Sequence, residues 1–236
     1  MITLYGMTSP NVVKIIIALE ELGLPYELKT VDVFKGEQFD KEFVKLNPFA
    51  KVPVIVDADG PGGKPYTLFE SGAILLYLAE KTGKFLPSER KARYDAIQWL
   101  MIQLTGVGPM FGQYVHFMRF AAEGNAYSVS RYRTQVKRLC EELDRRLGEA
   151  AYLGGSEYTI ADIATLPWAR NLKILIGEPA VAAYPKLMAW VAKLEQRPAV
   201  ARSIALVEKM RATLTPFDKA TPEDLDKMFG RGTHAA

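Results

Sequence analysis

A chain of 236 residues with 49% apolar content is long enough for one packed domain or two small ones. Its formal net charge of +3 is too mild for a nucleic-acid stripe, although weak positive potential suits an anionic small ligand. No run approaches the ~20 apolar residues of a membrane span, the first residues enter a strand with no basic leader, and a single cysteine excludes an internal disulfide. A cytoplasmic address is expected.

Ile2 to Gly6 reads as a short strand. Asn11 to Gly23 places Val12, Ile15, Ile16, Leu19 and Leu22 at helical spacing, with Gly23 as the stop. Tyr26 to Val33 alternates as a second strand, and Glu37 to Leu46 is a weak helix ended by Asn47-Pro48. Val52 to Val56 and Tyr66 to Phe69 are two strands joined by a Gly-rich turn, and a helix starts at Ser71. This β-α-β-α-β-β-α order predicts a thioredoxin-like α+β domain on a four-stranded mixed sheet, residues 1–83. Beyond a linker at Thr82 to Ser88, all periodic stretches are helical: about 89–122, 126–149, 160–176, 184–196 and 198–213. The second domain, 89–236, is therefore expected to be all-α. Thr159 and Asp162 form a capping box, flanked by Tyr158 and Ile163 as a hydrophobic staple. Residues 216–236 are polar and aperiodic, although Thr221-Pro222-Glu223-Asp224 can start a short helix. That tail is expected to dock across a cleft or on a partner subunit.

Two features carry chemistry. Pro53 opens a strand, where a proline removes only one ladder donor; a cis Val52-Pro53 bond turns the Val52 backbone outward to pair with an extended peptide. Ser71 stands at a helix N-terminus that favours a carboxylate, and Glu70 beside it offers a charge to an ammonium group. A strand-like peptide with an amine and a carboxylate at one end fits, and the γ-glutamyl end of glutathione has that form.

These residues, in this order, resemble the glutathione transferase family over essentially the whole chain. A narrower similarity to the bacterial nu class, close to the fungal nitrogen-regulator branch, lies in Ser9-Pro10-Asn11, the stretch Phe69 to Gly83, Gly108 to Gln113 with His116-Phe117, and Tyr127 to Tyr132. The resemblance implies a homodimer that uses glutathione as co-substrate, reduces disulfides, and has weak transferase or peroxidase activity. It gives Gln38 and Lys51 to the glycyl end and Arg131 to a second glutathione.

A thiol with pKa near ~8.5 is mostly protonated at neutral pH, so the site must stabilise the thiolate. Family members use Tyr, Ser or Cys after the first strand; here Thr8, Ser9 and Asn11 are the candidate donors, and Asn11 adds a helix dipole. The bland reading of Asn11 is a plain N-cap, and that of Arg131 a solvated helix face. Cys140 falls on the apolar stripe of Val136, Leu139, Leu143 and Leu147 and reads as a core residue. Disulfide chemistry would then take both thiols from glutathione, as two molecules or one glutathione disulfide. Two histidines and one cysteine give no metal site. Phe49 is expected to insert into a partner subunit or to pack on its own helical domain. The competing readings are a transferase for an unknown aromatic electrophile, and a non-catalytic binding or regulatory protein.

Overall fold

The computed structural model describes residues 1–121, 123–216 and 219–232. The chain forms two compact units: Met1–Tyr77 together with the segment from Ala199 onward, and Leu78–Pro198.

In the first unit, β1 (Ile2–Gly6), β2 (Tyr26–Thr30), β3 (Val54–Asp57) and β4 (Tyr66–Phe69) form a four-stranded sheet in the order β2-β1-β3-β4. β1 pairs parallel with β2 and antiparallel with β3, and β3 pairs antiparallel with β4. The mixed sheet is the predicted one. α1 (Pro10–Leu22) buries nine of its residues and ends at Gly23, whose left-handed backbone (φ 67°) returns its amide to the carbonyls of Leu19 and Glu20. The β1–α1 turn is tight, because a Cβ at Gly6 would collide with Val12.

Two strands are shorter than their sequence patterns. β2 stops at Thr30 because Asp32 starts a turn, accepting the Phe34 amide at 3.1 Å. β3 starts at Val54, after the Val52–Pro53 bond, which is cis. The weak helix at 37–46 resolves into a 3₁₀ turn at Glu37–Phe39 and α2 (Lys41–Leu46). α3 (Ser71–Thr82) follows β4, and Tyr77 donates to Asp57 at 2.7 Å.

The second unit is helical, as expected. α4 (Arg90–Ile102) and α5 (Gly108–Arg119) replace the single predicted helix over 89–122, separated by a widened π turn at Gln103–Val107. Pro109 has no N–H to offer the carbonyl one turn back, so the α-ladder is interrupted there. α5 packs along α6 (Ala126–Glu149). The predicted helix over 160–176 is α7 (Ile160–Ala169) and α8 (Leu172–Ile176), broken at Arg170–Asn171 and not at Pro167. α9 (Glu178–Val181) and α10 (Pro185–Glu195) follow, and α10 packs on α6 and α7.

The capping box of α7 is present. Asp162, fully buried, accepts from the amides of Leu153 and Thr159 at 3.0 Å each, from the Thr159 hydroxyl at 3.2 Å and from Trp190 Nε1 at 3.1 Å. Burial pushes its carboxyl pKa up, and these donors oppose that shift.

α11 (Pro198–Arg211) and α12 (Pro222–Phe229) complete the chain. From Ala199 the chain groups with the sheet unit. Arg202 pairs with Glu20 at 2.7 Å, and Thr215 donates its hydroxyl to buried Asp32 at 2.8 Å and its amide at 3.0 Å. The predicted short helix at Thr221 exists with its own Thr221–Asp224 capping box. Its end meets Gln38 of the sheet unit.

Replacing Asp162 by alanine orphans several buried donors at once. The expected cost is about 3 kcal/mol or more, measured by urea denaturation.

Candidate functional site

The register of the sheet gathers the predicted site. Tyr5 lies opposite Val54, and Val54 opposite Phe69. The turn after β1, the Val52–Pro53 segment before β3 and the Glu70–Ser71 corner after β4 therefore emerge at one end of the sheet.

Thr8, Ser9 and Asn11 are half-buried in the first of these. Ser9 is the N-cap of α1: its carbonyl accepts the amides of Val12 (2.9 Å) and Val13 (3.0 Å), while its hydroxyl makes no capping bond. Pro10 takes the first helical position, where its missing N–H costs nothing. Asn11 thus lies one residue further in, and the plain N-cap reading of Asn11 does not hold.

The second segment is shaped by buried Asn47. Its Nδ2 donates to the Lys51 carbonyl at 2.7 Å, and its Oδ1 accepts the Phe49 amide at 3.0 Å. Lys51 is exposed, Val52 half-buried and Pro53 buried. Val52 stands outside the β3–β4 ladder. Phe49 is 68% exposed and meets Phe69 with ring centroids 6.1 Å apart. It packs against β4 of its own unit.

At the third, Glu70 is exposed with a left-handed backbone (φ 69°), and its carbonyl accepts the Ile74 amide at 2.9 Å. A left-handed non-glycine residue costs about 1 kcal/mol, and such positions cluster at ligand clamps. Ser71, 7% exposed, is the first residue of α3. Its Oγ accepts a hydrogen bond from Lys14 Nζ at 3.2 Å. Lys14 is fully buried on α1, and burial pulls its ammonium pKa down to about 7 against the opposing charge of Glu70. The sequence reading missed Lys14. The available signal was a lone cation inside Val12-Val13-Lys14-Ile15-Ile16-Ile17, in a helix apolar on more than one face.

Gln38 meets the end of α12. It is 2% exposed, and its Nε2 donates to the carbonyls of Lys227 (3.4 Å) and Met228 (3.3 Å) at the end of α12. Its buried Oε1 has no partner among the described residues.

Arg131 belongs to the helical unit, exposed near the start of α6. In that unit Phe117 stacks on Tyr132 at 5.4 Å, and Arg133 Nε donates to the Tyr114 hydroxyl at 3.2 Å. These aromatics join α5 to α6. Cys140 is buried, and burial pushes its thiol up to about 12. A hollow of about 530 Å³ lined by Glu80, Phe85, Arg93 and Tyr158 contains none of the predicted site residues. Among the described residues no cluster of three His, Cys, Asp or Glu could hold a metal, and no helix is long and apolar enough to cross a membrane.

The model of the glutathione S-transferase N-terminal domain matches residues 1–80, and that of the C-terminal domain matches residues 98–198. The chain belongs to the glutathione S-transferase family. Disulfide-bond oxidoreductase YfcG of Escherichia coli is 44% identical over 205 residues, covering 86% of this chain and 94% of that protein. A glutathione transferase family member from Pseudomonas fluorescens, solved with two glutathione bound, superposes with TM-score 0.82 at 46% identity, over 86% of this chain and 92% of the other. A glutathione transferase from Pseudomonas putida, with one glutathione disulfide per subunit, gives TM-score 0.80 at 42% identity, over 86% and 90%. Relatives of this kind agree with the nu-class resemblance.

Gln38→Ala removes both bonds to the end of α12. Amide exchange across 219–230 should then accelerate about tenfold, while that of the sheet strands is unchanged.

Proposed function

We propose that this chain is a glutathione-dependent disulfide reductase of the nu-like branch, with transfer to electrophiles and peroxide reduction as broader activities. The observation that carries the reading is the convergence of the Thr8–Asn11 turn, the cis Val52–Pro53 segment and the Glu70–Ser71 corner at one end of the sheet. Val52 pairs its backbone with the cysteinyl part of glutathione. Ser71 and the first amides of α3 take the γ-glutamyl carboxylate, and Glu70 takes the amine. Lys51 takes the glycyl carboxylate. Gln38 joins it when its bonds to Lys227 and Met228 open.

The sulfur then lies towards Thr8, Ser9 and Asn11. Hydroxyl and amide donors at the start of α1, with the helix dipole, favour thiolate over thiol. The thiolate attacks one sulfur of the substrate disulfide, forming a mixed disulfide and releasing one substrate thiolate. A second glutathione thiolate attacks the glutathione sulfur of that intermediate, giving glutathione disulfide and the second substrate thiolate. Two glutathiones are oxidised and one disulfide is reduced, so no protein thiol is required. Buried Cys140, with its raised pKa, is consistent with that division of labour. Arg131 is our candidate cation for the second glutathione, and the relatives solved with two glutathiones or one glutathione disulfide support that stoichiometry.

Phe49, so largely exposed, suits a homodimer interface. A reduced, buried lone cysteine suits a cytoplasmic address.

Purified protein should reduce a small disulfide with glutathione, and Cys140→Ala should retain that turnover. Arg131→Ala should lower disulfide turnover about tenfold or more while conjugation of a chlorinated nitrobenzene survives. Failure of the wild-type protein on both substrates, with glutathione still bound, favours the binding-protein reading. Light scattering reporting a monomer contradicts the dimer.

A further inference from the structure

The γ-glutamyl corner contains one group that the proposed chemistry does not use: the Lys14 amine, completely buried on α1 and 3.2 Å from Ser71 Oγ. A buried ammonium depends on the groups it donates to, and one of those is a hydroxyl at the ligand corner. A charged ammonium has three donors and no acceptor. Bonded to it, the Ser71 oxygen must accept, and its own hydrogen is left to point elsewhere. A neutral amine can instead accept the Ser71 hydrogen, which turns the hydroxyl inward. The charge on Lys14 therefore sets the polarity of Ser71.

We propose that Lys14 is a positioning residue for γ-glutamyl recognition: its buried ammonium holds Ser71 Oγ as an acceptor, so that the Ser71 hydroxyl donates to the ligand carboxylate. The inference rests on the assignment of glutathione to this corner. Glu70, at the same corner, is the charged group whose field acts on Lys14. When glutathione binds, its carboxylate arrives one hydroxyl away from Lys14, whereas its amine meets Glu70 where that residue is exposed to solvent, so the nearer carboxylate dominates and shifts Lys14 towards the protonated form.

The sign follows. Lys14 is lowered to about 7 in the free protein, so it is charged below neutral pH and loses its proton as pH rises through that value. A carboxylate at Ser71 raises the Lys14 pKa. Binding above pH 7 must then take up a proton, and affinity falls with rising pH by up to tenfold per unit.

The test uses S-methylglutathione, which has no thiol to titrate. Isothermal titration in buffers of different ionisation enthalpy, from about pH 6 to pH 8, measures affinity and proton uptake together. Wild type should take up most of one proton near pH 8 and bind about tenfold more weakly there than at pH 6. Lys14→Met, close in volume, should keep its fold, bind about tenfold more weakly at pH 6, and show neither proton uptake nor a pH slope. Lys14→Met that binds with the wild-type affinity and slope overturns the role of Lys14 alone. Wild type that binds with no proton uptake overturns it too, even if Lys14→Met does not fold. Wild type that does not bind S-methylglutathione at all overturns the functional reading and this inference with it.

Discussion

A one-residue slip of β3 against its neighbours would turn every side chain of that strand to the opposite face and carry Val52 and Pro53 away from the corner. The pairing of Tyr5 with Val54, and of Val54 with Phe69, is the constraint on which the ligand end of the molecule depends. The register is held by burial of one face of β1 and of both faces of β3 at its start. Ile2 and Leu4 of β1, and Val54 and Ile55 of β3, are all buried. Because three unconnected loops start from those strand ends, the sheet fixes their separation without any of them needing to contact another.

The chemistry is divided in a consistent way. In the proposed chemistry the protein supplies geometry and charge, and the ligand supplies sulfur. Cys140 is sealed in the helical unit with its thiol pushed up to about 12. The corner sets exposed Glu70 on a left-handed turn, Ser71 at a helix start and Lys14 buried behind the hydroxyl, where the proposed ligand's amine and carboxylate would meet them. Burial lowers the Lys14 pKa into the neutral range, which makes the corner responsive to whatever charge a ligand brings.

Much of this was legible in the sequence, for local reasons. Strand alternation, the Pro53 strand start, the Ser71 helix start and the two Thr-x-x-Asp boxes are all short-range patterns with one physical outcome. The β1–β4 order and the all-helical second unit followed from them. What escaped was long-range. Lys14 carried a local hint, a lone cation in an apolar run, but its contact with Ser71, 57 residues away, is not a local pattern. The docking of the last segment depends on Thr215 reaching Asp32, 183 residues away, and on the end of α12 reaching Gln38. Polar composition cannot encode such partners. The interruption at Gln103–Val107 was readable from Pro109, but continuous apolar spacing on either side masked it.

The account stands most directly on where the γ-glutamyl group sits, and a crystal structure with glutathione disulfide measures it. One γ-glutamyl carboxylate should lie within hydrogen-bond distance of Ser71 Oγ and the Ser71 amide, with its amine against Glu70 and the cysteinyl backbone paired to Val52. Glutathione disulfide bound away from the β4–α3 corner, leaving Ser71 without a ligand contact, would contradict it.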